Sequence, residues 1–275
     1  MEDYAAAKRR LFTDHAPSFA IINHDDAHGR KWFGELNGGM QMLSFGLTPG
    51  AELRAEVLSM DAAGMRLQID GPWGSGDVHT ALLGRFNASN LLAAAGTLAL
   101  LGMPWHRVLH QLEVMQPVPG RMMRLGGEEN QPVVVIDYAH TPDALQSALS
   151  AIRAHLHGKL VCVFGCGGNR DKGKRPQMAR AAELLADDIF ITSDNPRNES
   201  VSRIIEDVVA GFESPSKATI EPDRAIAIQK AIARCHAGDI VLVAGKGVET
   251  WQEINGQKIP FSDENTILDA LENAA

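Results

Sequence analysis

At 275 residues, with 45% hydrophobic and 22% charged residues, the chain has the balance of an ordinary globular protein and the length for two domains. A formal charge of −8, from 26 basic and 34 acidic residues, speaks against a broad nucleic-acid-binding surface and leaves room only for a local basic pocket that takes a small anion. Cys162, Cys166 and Cys235 form neither a paired disulfide framework nor a zinc motif, which fits a reducing, cytoplasmic setting, and no apolar run reaches the roughly 20 residues that span a bilayer, so no membrane insertion is expected.

In chain order, residues 3–13 suit a helix with Tyr4, Ala7 and Leu11 on one side, and residues 18–22 suit a short strand. Between 51 and 83 the pattern alternates, as in Met65-Arg66-Leu67-Gln68-Ile69, with turn signals at Gly64 and Gly71-Pro72; this predicts antiparallel strands. Residues 87–101, rich in Ala and Leu, predict a buried helix with Asn87 as its N-cap and Asn90 in its first turn. Pro104 opens another short helix. A linker at 116–120, with two prolines and a glycine, cannot continue it and divides the chain into 1–116 and 117–275.

Beyond the linker the rhythm changes. Apolar runs at 133–136, 160–164, 189–192 and 240–243 alternate with helical spacings such as Leu145, Ala148, Leu149, Ile152 and Ile228, Ala231, Ile232, Cys235. Strands buried on both faces and joined by helices predict an α/β, doubly wound parallel sheet, whose ligands bind at the carboxyl ends of the strands. The four runs lead into Asp137-Tyr138-Ala139-His140, the loop 165–174, Asp194-Asn195-Pro196-Arg197 and Gly245-Lys246-Gly247-Val248-Glu249. One such loop is what any strand-to-helix connection contains. Four of them, carrying Asp, Arg, Lys, Glu and His, predict a site on one rim.

Within that rim, residues 168–175 match a P-loop at Gly168, Gly173 and Lys174, but Arg175 stands where a magnesium-binding hydroxyl is required. The segment reads as an anion-compatible loop and not as a nucleotide cradle. Asp194-Asn195-Pro196-Arg197 combines a carboxylate, an amide and a guanidinium on a stiff turn, which fits an amino-acid zwitterion and equally a capped turn before a helix near Val201. Glu249 either completes an ammonium cage or occupies the first turn of a helix. Lys8 taken alone is an ordinary solvated helix lysine, and His106, His110 and Cys162 receive no role.

Taken as an ordered set, Tyr4-x-x-x-Lys8, Gly84-x-Phe86-Asn87-x-x-Asn90, Pro119-Gly120-Arg121-Met122, the loops after the four strands and Gly245-Lys246-Gly247 resemble the Mur ligase family along nearly the whole chain. The resemblance implies a partial central ATPase domain over 1–116 and a Rossmann-like carboxy-terminal domain over 117–275. It implies an ATP- and Mg2+-dependent ligase that adds meso-diaminopimelate to UDP-MurNAc-L-Ala-D-Glu in peptidoglycan precursor synthesis. Lys8, as a carbamate, would help to hold Mg2+. Asn90, Arg121 and Asp137 would surround the adenine and ribose of ATP, with Asn87 and His140 also on the cofactor side. His140 and Lys172 would face the phosphates and the reacting carboxylate. Arg170, Asp194, Asn195, Arg197, Gly245 and Glu249 would bind diaminopimelate, with discrimination against lysine resting on Arg197.

Two departures from the family pattern stand out. Val248 replaces a customary histidine, and the family's UDP-binding domain and P-loop do not precede Met1. These 275 residues are therefore read as the later portion of a ligase, expected to be inactive alone and to need the missing amino-terminal portion as a partner. Two rival readings stay open: a non-catalytic diaminopimelate- or nucleotide-binding module, and a kinase-like phosphotransferase using residues 168–174. A folylpolyglutamate-synthetase-like ligase shares the plan but would not carry Asp194-Asn195-Pro196-Arg197.

Overall fold

The computed structural model describes residues 2–15, 17–36, 39–128 and 130–274. It divides into two compact units, Met1–Gln116 and Pro117–Ala275. The first runs α1 (Glu2–Thr13), β1 (Phe19–Asn23), α2 (Ala27–Glu35), β2 (Gln41–Gly46), β3 (Leu53–Asp61), β4 (Gly64–Gly71), β5 (Gly74–Thr80), α3 (Arg85–Leu100) and α4 (Trp105–Val114). Its sheet has the order β1-β2-β3-β4-β5, parallel from β1 to β3 and antiparallel from β3 to β5. Alternation in β4 sends Leu67 and Ile69 to the buried face, where they join Leu53 and Val78 against Leu91, Leu92 and Ala95 of α3 and Val108 and Leu112 of α4. Among the described residues α1 buries none of its own, so its apolar side does not act as a core face.

One expectation in this unit is corrected. Asn87 is not an N-cap. Gly84, at φ 88, takes the capping place and lets the chain enter the helix at Arg85, so Asn87 lies inside the first turn. There its Nδ2 donates to the Leu83 carbonyl at 2.8 Å, while its Oδ1 accepts from Asn90 Nδ2 at 3.0 Å. The two asparagines are thus one hydrogen-bonded pair at a glycine-started helix.

The second unit contains β6 (Met123–Gly126), β7 (Val133–Asp137), α5 (Pro142–Arg153), β8 (Leu160–Phe164), α6 (Lys174–Leu185), β9 (Asp188–Ile191), α7 (Val201–Val209), β10 (Ala218–Ile220), α8 (Arg224–Ala233), β11 (Ile240–Ala244), a β12 (Trp251–Ile254) and β13 (Gln257–Pro260) hairpin, and α9 (Asp263–Ala274). The main sheet has the order β10-β9-β8-β11-β7-β6, parallel except for β6 at the edge. Every residue of β7, β8 and β11 is buried, as continuous runs of Val, Ile and Leu require when helices cover both faces. The four strands whose loops predict a site are adjacent, in the order β9-β8-β11-β7, so their carboxyl ends share one rim. No helix follows β11 directly. A turn leads directly into the β12–β13 hairpin, so the helical alternative for Glu249 is overturned.

Candidate functional site

The rim encloses a cavity of about 390 Å³. His140, Arg170, Asp194, Asn195, Arg197, Gly245 and Glu249 line it, together with Tyr138, Thr141, Gly167, Asp171 and Lys174. Lys172 is not in the lining: its ammonium lies 3.6 Å from Glu199, and Lys174, two residues on, faces the cavity and donates to the His140 carbonyl at 2.7 Å.

At the amino-acid side, Asn195 is the hub. Its Oδ1 accepts from Lys246 Nζ at 3.2 Å and from the Glu253 amide at 2.9 Å, and its Nδ2 donates to Glu249 Oε2 at 2.8 Å. Lys246, fully buried, also donates to Glu249 Oε2 at 3.0 Å. Both bonds fall on one carboxylate oxygen, and Oε1 of Glu249 has no protein partner among the described residues. Asp194 is almost wholly buried. Burial pushes its carboxyl above the ordinary aspartate value, against the pull of the Arg224 and Lys246 cations. Gly245, at φ 120, leaves the space this carboxylate needs: a Cβ there would stand 2.6 Å from Asp194 Oδ2.

Arg197 occupies the left-handed region at φ 53. Its Nε lies 3.1 Å from Glu253 Oε2 and its Nη1 donates to the Gly168 carbonyl at 2.9 Å. The third nitrogen, Nη2, has no protein partner among the described residues. The Gly168 backbone reaches the same turn, where its N–H donates to the Asn195 carbonyl at 2.9 Å and a Cβ would sit 1.9 Å from the Pro196 oxygen.

Across the rim, the Arg121 guanidinium stacks 4.9 Å from the centre of the Tyr138 ring, and Asp137 Oδ2 accepts from the Met122 amide at 2.9 Å. Burial raises the Asp137 carboxyl above its ordinary value, opposed by the Met122 and Ala139 amides and by Arg121. His140 Nδ1 lies 2.9 Å from the Tyr138 carbonyl, which can only accept, so Nδ1 is the donor of this bond. Burial pushes the thiols of Cys162, Cys166 and Cys235 up to about 12, so none of them is a nucleophile.

Lys8, Asn87 and Asn90 belong to the first unit. Lys8 is exposed on α1, its ammonium 5.3 Å from the centre of the Tyr4 ring. Among the described residues no group of three or more His, Cys, Asp or Glu is placed to hold a metal ion. The residues around Asp137 do suit a nucleoside. They offer a stacked cation, and each oxygen of a carboxylate keeps acceptor capacity for a hydroxyl.

Several residues that build the site are not among the candidates assigned a role from the sequence. Arg175, fully buried, donates to Asp207 at 2.7 Å, to both oxygens of Glu199 at 3.1 Å and to the Gly167 carbonyl at 3.3 Å. Glu199 also accepts from the Asn169 amide and so ties the loop of Arg170 to that of Arg197. Arg224 and Asp263, both buried, form a bidentate pair at 2.7 and 2.8 Å, and Arg224 reaches the Ala244 and Ser193 carbonyls at 3.0 and 3.3 Å. That pair fixes the ends of β11 and β9 beneath the cavity.

Comparison with known proteins places this geometry. A family model described as the Mur ligase middle domain matches residues 1–98, and one described as the Mur ligase, glutamate ligase domain matches residues 120–247. Curated relatives from Xanthomonas oryzae pv. oryzae and Coxiella burnetii, each named UDP-N-acetylmuramoyl-L-alanyl-D-glutamate–2,6-diaminopimelate ligase, are 45% and 43% identical over 273 and 276 residues. Each alignment covers 98% of this chain and 55% or 56% of the relative, so the chain spans about half the length of the curated relatives it matches. A solved structure of a ligase of the same name is 36% identical with a TM-score of 0.74, covering 99% of this chain and 56% of that one. Folylpolyglutamate synthase from Thermotoga maritima, 18% identical with a TM-score of 0.66 over 82% of this chain and 50% of its own, shares the fold alone. With two of the family's domains matched in succession and these identities sustained from end to end, the chain belongs to the Mur ligase family.

Proposed function

We propose that this chain supplies the amino-acid-binding and part of the ATP-binding machinery of a cytoplasmic ligase that joins meso-diaminopimelate to the D-glutamyl side chain of UDP-MurNAc-L-Ala-D-Glu. The observation that carries the reading is the presence together, lining one cavity, of the Arg197 guanidinium and the Asp194 and Glu249 carboxylates. A distal amino-acid end presents a carboxylate and an ammonium together, and this set matches both charges. The names of the 43–45% identical relatives support the same substrate.

ATP, when bound, supplies the phosphoryl group that activates the glutamyl carboxylate, and Mg2+ would screen its phosphates with the Lys8 carbamate as one ligand. Asp137 and Arg121 would hold the nucleoside, and Asn87 and Asn90 are the first unit's candidates for nucleotide binding. Lys174 meets phosphate charge at the cavity, with Lys172 further out beside Glu199. Nε2 of His140 would take a proton from the attacking amine. Arg170, Asp194, Asn195, Gly245, Glu249 and Arg197 orient diaminopimelate, and Asn195 also holds Glu249. Calorimetric titration with meso-diaminopimelate and L-lysine tests the reading. Diaminopimelate is expected to bind more tightly, with the advantage lost in Arg197→Ala. Equal affinities in the unaltered chain would overturn it.

A further inference from the structure

The β12–β13 hairpin lies outside every motif of the site, yet its first strand is laid along the turn that carries Arg197. The Arg197 amide donates to the Glu253 carbonyl at 2.8 Å, the Asn255 amide to the Arg197 carbonyl at 2.7 Å, and Gln252 Nε2 to the Asp194 carbonyl at 2.9 Å. The Glu253 carboxylate completes this set at 3.1 Å from Arg197 Nε.

We propose that Glu253 is a specificity-determining residue of the amino-acid site: it partly neutralises Arg197 and thereby limits how sharply the site separates diaminopimelate from lysine. The inference rests on the assignment of Arg197 to the distal carboxylate. Arg197 gives its Nε to Glu253 and its Nη1 to Gly168, so a ligand carboxylate arriving at the guanidinium shares the cation with a second anion. Repulsion between the two carboxylates weakens diaminopimelate. A lysine brings only an ammonium to this end, and Glu253 then offsets the repulsion between that ammonium and Arg197. Both effects lower the ratio of affinities. Glu253 is the carboxylate paired with Arg197; Asp194 and Glu249 serve the ammonium side.

Glu253→Gln separates charge from shape. The amide oxygen still accepts from Arg197 Nε and the backbone bonds to Asn195 and Arg197 are untouched, so the guanidinium keeps its direction. Affinities of meso-diaminopimelate and L-lysine are measured by calorimetry for the unaltered chain, Glu253→Gln and Arg197→Ala. In Glu253→Gln the diaminopimelate-to-lysine ratio should rise about two- to fivefold, the scale of partly exposed charge pairs, and the rise should shrink in high salt. A ratio that stays constant or falls, while the unaltered chain discriminates through Arg197, would overturn the role of Glu253 alone. A ratio already insensitive to Arg197→Ala would instead remove the assignment of Arg197, and the inference with it.

Discussion

Replacing Arg224 by methionine puts a number on the ion pair beneath the site. Arg224 and Asp263 are 1% and 0% exposed, and the guanidinium makes four hydrogen bonds, two to Asp263 and one each to the Ala244 and Ser193 carbonyls. Methionine keeps much of the volume and leaves the Asp263 carboxylate uncompensated in the interior. Removing one partner of such a pair costs about 3–5 kcal/mol, most of it the penalty of the stranded charge. With a urea slope of about 2 kcal/mol/M, the midpoint for the second unit should fall by about 1.5–2.5 M. Hydrogen exchange would locate the loss, with the amides of β11 and α8 losing protection while β3 and β4 keep theirs. The double variant Arg224→Met/Asp263→Leu, which removes both charges, should regain most of the stability. A midpoint within about 0.5 M of the unaltered chain, on that slope, or a double variant no better than the single one, would refute the view that an unpaired charge dominates.

Three further outcomes are expected. Arg197→Lys keeps the charge but loses the planar fork, so the preference for diaminopimelate over lysine should fall by about 1.5–3 kcal/mol in competitive calorimetry. Asp194 is pushed up by burial, so its folded-state contribution to stability is full below the unfolded value and is lost as pH rises through the raised one; at neutral pH it costs stability. Asp194→Asn should therefore raise the thermal midpoint at pH 7. It should also abolish an acid limb in diaminopimelate affinity that begins above the ordinary aspartate range; a lower midpoint would contradict the sign. Gly168→Ala forces a Cβ against the Pro196 oxygen and should cost about 1–3 kcal/mol in chemical denaturation together with weaker diaminopimelate binding.

The parts of this architecture that announce themselves in the chain are those with continuous apolar runs. β7, β8, β9 and β11 are legible because strands buried on both faces need Val, Ile and Leu at nearly every position, and their loops point to the rim. β6, β10, β12 and β13 escape, since short, partly exposed strands carry no such run. The charged residues divide in the same way. Arg197 and Glu249 sit in loops whose composition is informative. Arg224 and Asp263 are 39 positions apart, and each looks like a surface residue at the start of a helix until the fold brings them together. Asn87 misleads for a local reason: its type favours a cap, but Gly84 reaches the required backbone geometry first.

The left-handed backbone at Arg197 carries a consequence of another kind. A side chain in that conformation costs roughly 1–2 kcal/mol that glycine avoids, so the fold considered alone would prefer glycine there. The turn nevertheless carries one of the bulkiest side chains available, held in place by the Glu253 and Asn255 backbone on one side and the Gly168 carbonyl on the other. Position 197 is thus a place where selection for a sturdier protein and selection for a selective one run in opposite directions. Drift toward stability at this codon would erase the guanidinium before it disturbed the sheet.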